Sequence, residues 1–230
     1  AGNSNLHRMR GPIYSSLSPD VDTAYNNVVI SGANVNGGSG NYTFRNGATF
    51  TVDSGARMSV TNQELQADTA AAVAVNINGT FATADIHGFS GDNDSSINPT
   101  GMTITLGATS TVEYNGTAAQ VLSSRSDYKN LTIDNSLNTG TRGVTANGDV
   151  TFSGALALTD GLVNTGSFAI IGTATSTTTV GTGWVNGNFR KFIASGSTSR
   201  DFEIGSSTVY APVSLAFTGT ITASTGSITA

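Results

Sequence analysis

Apolar and polar residues alternate with period two along most of this chain. Val28 and Ile30 share a face, as do Val73, Val75 and Ile77, and then Met102, Ile104 and Leu106. Leu131 with Ile133, Leu156 with Leu158, Phe202 with Ile204, and Val213, Leu215 and Phe217 continue the pattern. Such alternation predicts strands with one buried face, because successive side chains of a strand point to opposite sides. Gly, Asn, Ser and Asp fill the intervals. Helical spacing is nearly absent. Residues Asn62 to Val75, with Gln63, Glu64, Leu65, Gln66 and a run of alanines, predict either a short helix or a decorated loop.

The strands follow a recurring phrase. Asn46-Gly47, Asn78-Gly79, Asn147-Gly148 and Asn186-Gly187 each lead into a short alternating run, and Asn115-Gly116 is a weaker copy. Repetition of one supersecondary unit encodes stacked turns that bury one another's apolar faces. Asn-Gly is also a type I′ hairpin signal, which keeps an antiparallel β-sandwich open as the alternative. The flanking runs are short and unequal, so the expected fold is all-β, a right-handed parallel β-helix or β-solenoid. Asparagines stacked at corresponding positions would bond the backbone of the next turn, with Asn27, Asn130 and Asn164 as candidates. Residues 1–25 carry Arg8, Arg10, Pro12 and Pro19 without the pattern and read as an N-terminal arm or cap. Residues 26–182 form the repeats, and 183–230 a C-terminal β region that continues or caps them. The stretch Phe217 to Ala230 is strand-like with no polar stop, so further chain or a partner is expected beside it.

Composition narrows the function. Only 11% of the 230 residues are charged, the net charge is −5 and cysteine is absent. Thiol catalysis, thiolate metal sites and disulfides are excluded. Ten scattered basic residues make no basic stripe, so nucleic acid is not an expected partner. No apolar run reaches the roughly 18 residues needed to cross a bilayer as a helix, and no membrane insertion is expected. A start at Ala1 fits a processed product as well as an arbitrary boundary.

The C-terminal third is more distinctive. Gly183-Trp184-Val185-Asn186-Gly187-Asn188-Phe189-Arg190-Lys191-Phe192, then Arg200-Asp201-Phe202-Glu203-Ile204-Gly205 and Tyr210-Ala211-Pro212-Val213, resembles a segment of large secreted or cell-surface repeat proteins of Bacteroidetes exported by the type IX pathway. Ser110 to Gly116 and Tyr128 to Ile133 resemble their solenoid-type repeats. The resemblance covers residues 102 to 217 and implies an extracellular or cell-surface setting; it carries over no catalytic residue. In that setting Asp22-Thr23-Ala24 and Asp68-Thr69-Ala70 look like O-glycosylation acceptors at Thr23 and Thr69.

Chemistry-bearing clusters are few. The histidines are His7 and His87, and the close acidic pairs are Asp20/Asp22, Asp92/Asp94 and Asp201/Glu203. Gly91-Asp92-Asn93-Asp94-Ser95-Ser96 with Asn98 places oxygen ligands at alternate positions, which suits Ca²⁺ held by Asp92, Asp94 and Asn98. The expected function is therefore a non-enzymatic, self-associating structural or adhesive solenoid of a surface filament or layer. Arg8, Arg10, Tyr14, Val213, Leu215 and Phe217 are its candidate interface residues. The alternatives are a module binding surface glycans through Trp184, Tyr114 and Tyr210, a polysaccharide-active β-helix enzyme working through the acidic pairs, and a threonine-faced ice binder.

Overall fold

The structure, a computed structural model, describes residues 6–9, 15–17, 25–32, 34–38, 40–68, 72–137, 143–196, 199–219, 221–222 and 226–230. These are all-β, with no α-helix among them, and the ladders are parallel apart from two near the C-terminus. The chain is a parallel β-helix, as the alternation predicts. It divides into two compact units, Ala1–Gly116 and Thr117–Ala230.

In the first unit one sheet stacks Leu6–Met9, Tyr25–Ile30, Tyr42–Val52, Val73–Ile77 and Met102–Leu106. A second stacks Ser15–Leu17, Asn34–Gly37, Arg57–Val60, Thr80–Thr83 and Thr111–Tyr114. The core is made of columns of like residues from successive turns. Ile30, Val52 and Ile77 stand in register at 0% exposure, and Val35, Met58 and Phe81 do the same in the second sheet. Each buried aliphatic or aromatic side chain of this kind contributes about 1.5–3 kcal/mol. Aromatic rings add directional contacts, with Phe44 edge-on to Phe50 at 5.8 Å and Phe81 to Phe89 at 5.4 Å.

The second unit repeats the scheme. Asn130–Asp134, Ala155–Asp160 and Thr177–Val180 form one parallel ladder. Gln120–Leu122, Val144–Ala146, Leu162–Gly172 and Trp184–Phe192 form another. Two antiparallel pairings then interrupt the coil: Ser227–Thr229 on Trp184–Phe192, and Val213–Ala216 on Ser199–Phe202.

Several expectations change. The Asn-Gly steps are not hairpin turns. Asn46-Gly47 and Asn186-Gly187 lie inside continuous strands, Tyr42–Val52 and Trp184–Phe192, where the chain bends and each half pairs in parallel with its neighbours. Gly47 has φ 76°, a left-handed conformation that glycine adopts without strain. This removes the antiparallel sandwich. The helix over 62–75 is also absent: Leu65–Ala67 is a strand paired with Tyr42–Phe44, and Val73–Ile77 is another. A weak local helical preference loses here to the ladder groups of the preceding turn, a usual tertiary override. The expectation of an N-terminal arm or cap over residues 1–25 is not among those that change; within that segment Leu6–Met9 and Ser15–Leu17 pair in parallel with the next turn.

The stacked asparagines are present. Asn27 Oδ1 accepts the Thr49 amide, Asn46 Oδ1 that of Ala72, and Asn130 Oδ1 that of Ala155, over offsets of 22, 26 and 25 residues. Asn164 accepts from the side chain of Asn186 and donates to the Val144 carbonyl, linking three turns. An asparagine at such a point supplies the acceptor that a bending backbone cannot. Asn130→Ala is expected to lower the stability of the second unit by about 1–3 kcal/mol, the cost of leaving a part-buried amide without its acceptor. Asn130→Asp, which keeps that oxygen, should lose less, and urea denaturation of the two variants checks the difference.

Candidate functional site

One ladder of the second unit has Thr177–Val180 as its outermost strand among the described residues. Its core columns run Leu131–Leu156–Thr178 and Ile133–Leu158–Val180. Leu156, Leu158 and Ile133 are 0% exposed, whereas Val180, at an equivalent inward position, is 39% exposed. The Thr178 hydroxyl has no hydrogen-bond partner although it is buried. The exposure of Val180 follows from its place: among the described residues no strand lies beyond Thr177–Val180 in this ladder. Thr177 and Gly181 direct their amides back to Gly154 and Leu158. Thr178 and Val180, the alternate residues, therefore turn their N–H and C=O groups outward.

A recess of about 240 Å³ lies along this edge, lined by Ser176, Thr177, Thr178, Lys191, Ser199, Arg200, Asp201 and Glu203. Lys191 stands in the core column above Phe152 and Gly172 and is 4% exposed. Its Nζ donates to Glu203 Oε2 at 2.6 Å and to the Asp201 carbonyl at 2.7 Å, and lies 4.4 Å from the Phe189 ring centroid. Burial pulls the Lys191 ammonium below its usual range, and the Glu203 carboxylate pulls it back. Arg200 donates to the carbonyls of Ser176 and Thr173, while its buried Nε has no partner. Asp201 accepts from the Ser214 hydroxyl. The acids and bases that meet here are thus committed to holding the last turn: Glu203 to Lys191, Asp201 to Ser214, and the Arg200 fork to backbone carbonyls.

The expected metal loop lies in a long excursion of the first unit, residues 84–101. Asp92 Oδ1 accepts the Asp94 amide. Asn98 spends Oδ1 on the Thr100 amide and Nδ2 on Glu64 and the Asn93 carbonyl. No group of three His, Cys, Asp or Glu side chains able to hold a metal occurs among the described residues. Asp85, in the same excursion, is 5% exposed and accepts the His87 amide at 2.8 Å. Desolvation raises the carboxyls of Asp85 and Glu64, with the negative charge of Asp94 adding to both. The sequence did not single out Glu64 or Asp85; only the fold brings them beside Asp94.

The other candidates are spread out. Arg8 stands opposite Val29 in the first-unit ladder, while Arg10, Tyr14, Thr23 and Thr69 lie outside the described residues. Val213 is 38% exposed, and Leu215 and Phe217 are half-buried. Of the aromatics expected to meet glycans, Tyr114 is fully buried and Trp184 is 9% exposed, its ring against Tyr210 at 5.8 Å and its Nε1 donating to the Ser206 carbonyl. Both are core residues, a correction that follows from their inward register. Tyr210 alone of the three is open to solvent. The sequence analysis missed Lys191, yet strict alternation from Phe189 already places it on the inner face.

Comparison of the chain with protein-family models, with curated proteins and with solved structures returned no match. No described helix is long and apolar enough to cross a membrane.

Proposed function

We propose that this chain is a non-enzymatic structural or adhesive solenoid that associates with copies of itself at the cell surface or outside the cell. The observation that carries this reading is the outermost strand Thr177–Val180, with inward-facing Val180 at 39% exposure above two fully buried residues of its column. A strand edge with unpaired backbone groups is a template for another chain, and natural proteins guard such edges with charge, proline or a bulge. Thr177-Thr178-Thr179-Val180 carries none of these. The commitment of Lys191, Arg200, Asp201 and Glu203 to one another and to backbone supports a holding role in preference to catalysis. A surface setting is supported by the low charge content.

Negative-stain electron microscopy and sedimentation test the reading. Purified chain at about 100 µM should form rods or higher oligomers that disperse on dilution, since association follows mass action. Monodisperse monomer at that concentration would remove self-association as the function. Binding to surface polysaccharide through Tyr210, with assembly absent, would favour the glycan reading.

A further inference from the structure

The recurring Asn-Gly phrase has a chemical side as well as a structural one. The amide nitrogen that follows an asparagine can attack the side-chain carbonyl carbon, and glycine there has no side chain to hinder the approach. Asn147-Gly148 and Asn46-Gly47 make a matched pair for this chemistry. Both asparagines are exposed. Both side-chain oxygens accept a backbone amide of a neighbouring turn, Asn147 Oδ1 that of Ser124 at 2.7 Å and Asn46 Oδ1 that of Ala72 at 2.9 Å. They differ at the nucleophile. Gly47 donates its N–H to the Ala72 carbonyl at 2.8 Å, and Gly79, which follows Asn78, donates to the Val52 carbonyl at 3.1 Å. The Gly148 N–H meets no acceptor among the described residues. Ser124 holds the corner on either side of it: the Ser124 amide donates to Asn147 Oδ1, and the Ser124 hydroxyl donates to the Asp149 carbonyl at 2.9 Å. A Cβ on Gly148 would fall 2.5 Å from the Ser124 hydroxyl oxygen, so this close approach requires glycine.

We propose that Asn147 is a site of spontaneous covalent modification, its side chain closing on the Gly148 nitrogen to a succinimide that water opens to aspartate or isoaspartate. The Gly148 nitrogen gives its proton to solvent hydroxide and forms a bond to Asn147 Cγ. The Cγ–Nδ2 bond then breaks, and Nδ2 takes a proton from water and leaves as ammonia, which regenerates the hydroxide. Hydrolysis of one ring C–N bond consumes one water and leaves a carboxylate where the amide stood. The Ser124 N–H is aimed at Asn147 Oδ1, where the negative charge of the tetrahedral intermediate develops, and stabilises it. Asn46 has an equivalent donor, but attack there must first break the bond from Gly47 to Ala72. Either product puts a new negative charge on an exposed corner. Isoaspartate also adds a methylene to the main chain between Ala146, paired with Leu122, and Val150, paired with Arg125 and Ile170. The modification therefore falls on a corner that joins two paired runs of the second unit.

Peptide mapping by mass spectrometry, on the full chain held folded in mildly alkaline buffer, reads the outcome. Asn147 should convert from amide to acid at least roughly fivefold faster than Asn46 or Asn78, the factor that one intramolecular hydrogen bond is worth. In urea, where no ladder holds any of the three glycines, the rates should come together. A smaller ratio in the folded chain, or Asn46 or Asn78 reacting first, would overturn the proposal. So would a ratio that persists in urea, since local sequence and not the fold would then set it. Asn147→Gln, which must close a larger ring, should leave the mass of this peptide unchanged over the same period. Conversion that continues in that variant would place the reaction at another residue and equally overturn the assignment.

Discussion

Lys191→Ala is expected to lower the stability of the second unit by about 3–5 kcal/mol, the range for breaking a buried ion pair from one side. The substitution strands the Glu203 carboxylate, whose side chain is 12% exposed, and removes the donor to the Asp201 carbonyl. It also takes a cation off the rings of Phe189 and Phe202, 4.4 and 5.7 Å from their centroids. Replacing both partners, Lys191→Met with Glu203→Leu, should recover most of the loss, because two desolvated charges are exchanged for apolar contact. The two outcomes separate the pair from the volume it fills. The pH dependence gives a second readout. Burial holds the folded Lys191 ammonium below 10.5, so between its folded and unfolded values the unfolded chain binds more protons, and stability rises as pH rises through that window. Lys191→Met should flatten this component. Urea midpoints followed by the emission of Trp184, the single tryptophan, report on this unit alone. Loss of less than 1 kcal/mol in Lys191→Ala would show that the pair does not hold the last turn.

The β-helix was legible because its signal is repeated. The period-two runs and the recurring Asn-Gly phrase point to the same stacked strands, and the asparagines at 27, 130 and 164 do make bonds between turns. What the pattern does not carry is the meaning of Asn-Gly itself. A glycine with positive φ serves equally at a tight hairpin and at a bend between two parallel runs, and only the partner strand decides. Residues 62–75 misled for a related reason: Gln, Glu and Ala have good helical propensity, but Leu65 and Val73 stand where the turns before and after need ladder partners. The site was less legible. Val180 reads as an ordinary inward strand residue, and its exposure depends on what fails to follow it, which no local window contains. Tyr114 and Trp184 look like surface aromatics in a polar sequence until register turns them inward. Lys191 was hidden by its charge, although its spacing from Phe189 already placed it inside.

Gly143→Ala is expected to be as damaging as the loss of the ion pair, for a purely steric reason. Gly143 has φ 79°, and a Cβ there would fall 2.1 Å from the Leu162 carbonyl oxygen and 2.3 Å from the Leu162 nitrogen. Those are backbone atoms of the adjacent turn and no rotamer change can move them away. The left-handed backbone alone costs a residue with a side chain about 1–3 kcal/mol, and forcing an extra carbon into packed structure adds a similar amount. Relief requires the two turns to part, which pulls Val144 and Val163, both fully buried, out of register. Gly161 and Gly183 meet backbone just as closely at the corresponding points, so these glycines set how tightly the turns of the second unit stack. Gly166→Ala is the matched control. Its φ is 58° and nothing lies within 4 Å of its Cβ position, so it bears backbone strain without a clash. Thermal unfolding of the two variants should then differ by several degrees, Gly143→Ala falling further. Equal losses would mean that backbone strain alone governs the corner and that the turns can separate at little expense.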